Sequence, residues 1–95
     1  MRLLFIIIDQ SIEPDVLEVF EQHGVEHWTS WTEVHGAGRA GRKQGSPIWP
    51  GLNTVFLVAL QQEKVEPLVQ GLHATRDTFP LPPGMRIFSV AMEEL

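Results

Sequence analysis

The segment His35–Gly45, HGAGRAGRKQG, places Gly36, Gly38 and Gly41 at the spacing G-x-G-x-x-G and follows them with Arg42 and Lys43. Glycines let the backbone approach a ligand closely, and amide groups beside positive side chains hold phosphate or carboxylate. Anion binding is the chemistry on offer here. Gly36 and Gly38 are the amide donors of such a site, and Arg39 adds a planar fork suited to two oxygens at once. A dinucleotide fingerprint of the Rossmann kind would need a helix that starts at the glycines. Pro47 and Pro50 forbid that helix. The glycines instead open a long connection, about 36–51, between two strands, and long loops in small domains tend to carry function. Further along it, Arg42, Lys43 and Trp49 are candidates for contact with a partner, since an aromatic set between two prolines has little core to join.

Other constellations are weaker. Four histidines, His23, His27, His35 and His73, are the remaining ligand-type side chains beside the acids, and the chain has no cysteine. His27 and His35 are the alternative metal ligands. Eight positions apart on a strand they stand about 26 Å from one another, so they could share an ion only between symmetry-related copies. Ser11, Ser30, Ser46 and Ser89 have no histidine and acid in a nucleophilic arrangement, and the expectation is a protein that is not an enzyme.

The totals bound what can position these groups. Ninety-five residues, 43% hydrophobic and 20% charged, make one domain, 1–95, with no room for a second. A net charge of -5 argues against a nucleic-acid binder. Three of the seven basic residues, Arg39, Arg42 and Lys43, nevertheless fall within five positions, and residues 39–53 contain no acid. An acidic body with one basic loop points to a local anion site. The opening MRLLFIII stops at Asp9 with no cleavage signal after it, and no run is long enough to span a bilayer. The expected location is the cytoplasm, without membrane insertion.

Arg2–Asp9 is a continuous apolar run and reads as a strand buried on both faces. A helix is expected over roughly Glu13–His23, with Ser11 or Glu13 at its N-cap, Pro14 in its first turn and Gly24 as its stop. Val25–His35 alternates as a strand, putting Trp28 on one face and Trp31 on the other. Asn53–Leu60 is a third strand. Gln62–Thr75 has Val65, Leu68, Val69 and Leu72 at helical spacing. FPLPPG, Phe79–Gly84, can be neither helix interior nor central strand, and Arg86–Met92 is the last strand. The order is that of an α+β, ferredoxin-like βαββαβ domain: a four-stranded antiparallel sheet with two helices on one face. Its second face, apolar in the first and third strands, requires a cover from another subunit.

With these elements in place, TEVHGAGR, Thr32–Arg39, leading through IWPG to NTVFLVAL, resembles the T-loop region of the P-II nitrogen-regulatory signalling family. RIFSVAMEEL, Arg86–Leu95, is similar to that family's last strand and the segment after it. The resemblance implies a homotrimer with its sheets turned inward, and effectors bound in clefts between subunits beside the base of the loop. By the same resemblance the effector is a small anion such as an adenine nucleotide. The effector-binding residues are then Gly36, Gly38, Arg39, Gly84 and Arg86, and Arg42, Lys43 and Trp49 contact a regulated protein, which is a transporter, an enzyme or a regulator. The chain departs from the family pattern at Ala40, where a glutamine that helps coordinate metal usually stands. It departs again at LPPGMR, a shortened form of the phosphate-binding turn, so the resemblance is to a divergent member. The alternative is a metal-binding trimer similar to the divalent-cation tolerance family.

Overall fold

A computed structural model describes residues 1–38, 41–43 and 52–95, with the backbone alone at Gly38 and at 41–43. The elements in chain order are β1 (Arg2–Asp9), a single 3-10 turn (Gln10–Ile12), α1 (Glu13–Gln22), β2 (Thr29–Val34), β3 (Gly36–Gly38), β4 (Gly41–Lys43), β5 (Asn53–Leu60), α2 (Gln62–Asp77) and β6 (Met85–Ala91). The main sheet runs β2-β5-β1-β6, antiparallel throughout, which is the ferredoxin-like arrangement.

Alternation along the strands decides which face the helices cover. Leu4, Ile6 and Ile8 of β1, Phe56, Val58 and Leu60 of β5, and Met85 of β6 are buried beneath Val16, Val19 and Phe20 of α1 and Leu68 and Leu72 of α2. Phe20 packs edge-on against Phe56, with ring centroids 5.1 Å apart. Among the described residues nothing covers the opposite face. Its rows, read from the strand register, are Val90, Leu3 and Ala59; Phe88, Phe5, Leu57 and Thr29; and Arg86, Ile7, Val55 and Trp31. Phe5, Trp31, Phe88 and Val90 are exposed there, so β1 is buried on one face only in the single chain.

α1 ends where Gly24 takes a positive φ of 69°. Val25 then donates to the Phe20 carbonyl at 2.8 Å and Gly24 to that of Glu21 at 3.2 Å, a Schellman closure with buried Val25 as its apolar contact. At the other end, neither Ser11 nor Glu13 caps α1. Asp9 caps the 3-10 turn, its Oδ1 accepting from Ser11 N at 3.0 Å, and Ile12 at the helix N-cap makes no side-chain bond. The second strand is shorter than its alternation suggests and starts at Thr29; Trp28, just before it, lies on the helix side with its ring 5.7 Å from that of Phe20. α2 runs two residues past Thr75 and contains Pro67 at an exposed position.

Candidate functional site

The long connection carries structure at its base. β3 and β4 pair antiparallel, with Gly36 opposite Lys43, Ala37 opposite Arg42 and Gly38 opposite Gly41. Glycine has low strand propensity, so periodicity does not reveal this hairpin; backbone pairing makes it. Arg39 and Trp49 lie outside the described residues, as do the side chains of Arg42 and Lys43.

The hairpin leaves one end of the main sheet, and the strand register brings the Gly84 turn to that same end. Asp9 N donates to the Gly84 carbonyl at 3.0 Å, Asp9 stands opposite Asn53, and Asn53 stands opposite Val34. One row therefore runs Gly84, Asp9, Asn53, Val34, about 14 Å across three strand spacings. Gly36 follows Val34 by two residues. It sits so close to Asn53 that a Cβ added to it would come within 2.5 Å of Asn53 Nδ2. Only glycine fits there without moving the amide.

Side chains outside the glycine motif tie this rim together. Gln10 N donates to the Leu52 carbonyl at 2.9 Å. Gln10 Oε1 accepts from Glu33 N at 2.9 Å, where Glu33 has a φ of 58° and β2 shifts register between Trp31 and Val34. Asp9 Oδ1 also accepts from the Ser11 hydroxyl at 2.8 Å. Thr54, fully buried, donates to Glu13 Oε2 at 2.9 Å. The available signal was the polar run Asp9, Gln10, Ser11 directly after an apolar strand.

Of the effector residues expected from sequence, Gly36, Gly38 and Gly84 thus share one end of the sheet. Arg86 lies two residues into β6. It faces the uncovered side, with its guanidinium carbon 5.6 Å from the centre of the Phe88 ring, a cation–π contact. His27 precedes β2 and His35 follows it, so they are at opposite ends of that strand. Among the described residues no three histidine, aspartate or glutamate side chains group as a metal site. A cavity of 320 Å³ lies between α2 and β6, lined by Val65, Val69, His73, Arg86, Ile87 and Ser89 among others.

The architecture is that of a ferredoxin-like domain with a glycine hairpin growing from one end of its sheet and its second sheet face bare. A family model described as nitrogen regulatory protein P-II matches residues 1–95, and the chain belongs to that family, whose members are regulatory signalling proteins rather than enzymes. Among solved structures, the chain is similar to CPII, a nitrogen regulatory PII-like protein from Thiomonas intermedia K12 bound to ADP, AMP and bicarbonate. The TM-score is 0.72 at 18% identity over 94% of this chain and 84% of that one. The apo form of CPII matches with a TM-score of 0.66 at 15% identity, covering 94% and 87% of the two chains. A candidate PII-like signalling protein from Thermus thermophilus matches with a TM-score of 0.68 at 19% identity, covering 94% and 83%. At these identities the likeness is one of fold. No curated protein matches the sequence. Among the described residues no helix is long and apolar enough to cross a membrane.

Proposed function

We propose that this chain is a P-II-like regulator that binds a small anionic effector, an adenine nucleotide first of all, in clefts between the subunits of a homotrimer. The observation that carries the reading is the convergence of the glycine hairpin and the Gly84 turn at one end of the sheet, beside an uncovered apolar face. Burying that face against two further copies supports a trimer and sets the rim of one subunit beside its neighbour. Gly36 and Gly38 offer amides to the anion, Arg39 offers its fork, and Gly84 and Arg86 close the cleft from β6. The 36–51 connection docks through Arg42, Lys43 and Trp49 on a regulated protein in the cytoplasm. The nucleotide and bicarbonate bound to CPII support this class of effector.

Titration calorimetry with ADP, AMP, ATP and bicarbonate tests the reading. Arg39→Ala is expected to weaken binding by at least about tenfold, the loss of one charge-assisted hydrogen bond, while the assembly persists. Trp49→Ala, farther along the connection, is expected to leave effector affinity nearly unchanged and to impair partner docking. A wild-type protein that binds none of these anions would overturn the proposal.

A further inference from the structure

Asp9 and Gln10, two consecutive residues, hold three separate segments of the rim. Asp9 N holds the Gly84 carbonyl at 3.0 Å, Gln10 N holds the Leu52 carbonyl at 2.9 Å, and Gln10 Oε1 holds Glu33 N at 2.9 Å. The first segment is the turn before β6. The other two are the chain entering and leaving the glycine-rich connection. Glu33 is the only non-glycine residue with positive φ among those described. A side chain with a Cβ is disfavoured in that conformation, which persists only where neighbouring structure enforces it. The bond that Glu33 N donates to Gln10 Oε1 is the contact that holds it there, and it acts across 23 positions of sequence.

We propose that Gln10 is the positioning residue of the effector rim: it holds Glu33 in the left-handed conformation and so sets the direction in which the chain leaves β2 for the glycine hairpin. The strain at Glu33 and the net strength of one exposed hydrogen bond are of similar size, so loss of the bond is enough to free Glu33 from the left-handed conformation. This inference rests on the reading of the rim as the effector site.

The test uses backbone amide exchange and 15N–1H spectra of the full protein as wild type, Gln10→Ala, Gln10→Glu, and the double variant Gln10→Ala with Glu33→Gly. In Gln10→Ala the Glu33 amide is expected to exchange about tenfold faster and the Val34 and Gly36 signals to move. Gln10→Glu keeps an acceptor oxygen and keeps both. The double variant returns Val34 and Gly36 to their wild-type positions, because glycine takes the left-handed conformation without help. ADP affinity, measured in parallel, falls about tenfold in Gln10→Ala and recovers in the double variant. Unchanged exchange at Glu33 in Gln10→Ala, or a double variant displaced as far as Gln10→Ala alone, would overturn the proposal. If the amide results hold while ADP fails to bind the wild type, the positioning role stands and the effector reading falls.

Discussion

Thr54 has no exposed surface, whereas its partner Glu13 is half-buried. Cutting the bond from the two sides therefore has unequal costs. Glu13→Ala strands a buried hydroxyl and is expected to destabilise by about 1–3 kcal/mol, whereas Thr54→Val leaves Glu13 able to reach water and costs about 1 kcal/mol. Urea unfolding of both variants at one protomer concentration measures the difference. Gly36 is constrained by space, since its missing Cβ would lie 2.5 Å from Asn53 Nδ2. Gly36→Ala is expected to cost under about 1 kcal/mol in the same assay, because the half-buried Asn53 side chain can swing its amide aside. Its further signature is a moved Asn53 side-chain amide signal.

At the scale of elements, α1 is held by what it buries and by how it ends. Val16, Val19 and Phe20 form its buried stripe, and Gly24 at a φ of 69° allows the chain to reverse toward β2 with its carbonyls satisfied. A Cβ at Gly24 meets nothing within 4 Å, so Gly24→Ala tests backbone conformation alone. The expected loss is about 1–2 kcal/mol, read as a lower urea midpoint with unchanged slope. A changed slope would mean that the substitution alters how much surface unfolds.

At the scale of the whole molecule, the uncovered face decides whether the chain stands alone. Phe88 at 48% exposure and Trp31 at 51% lie on one surface with Phe5 and Val90, a contiguous apolar face of the kind that marks an interaction site. Phe88→Glu puts a charge into that surface without touching the core beneath the helices. It is expected to convert a trimer to monomers at micromolar concentration, with helix content retained, as seen by light scattering after size exclusion and by circular dichroism. A wild-type protein that is monomeric under those conditions would remove the cleft between subunits and the function built on it.

The residues alone determine much of this protein, and the reason is that local sterics and periodicity are written locally. The run LLFIII, the helical spacing of Val65, Leu68, Val69 and Leu72, Gly24 as a stop and FPLPPG as a break each need only a few neighbours to be read, and together they order the elements as βαββαβ. The glycines and Arg39 suggest anion chemistry by type and spacing, and that remains the proposal the titrations test. Tertiary structure decided what those glycines face. Gly84, Asp9, Asn53 and Val34 come from four separate segments and meet only because β1 pairs with both β5 and β6 while β5 also pairs with β2. It also decided which half of LLFIII is covered, since a run apolar on both faces does not say where the helices will lie. The left-handed Glu33 and the grip of Gln10 escape the sequence because the partners lie 23 positions apart, and the β3–β4 hairpin escapes it because its pairing is made by backbone groups, which are the same in every residue.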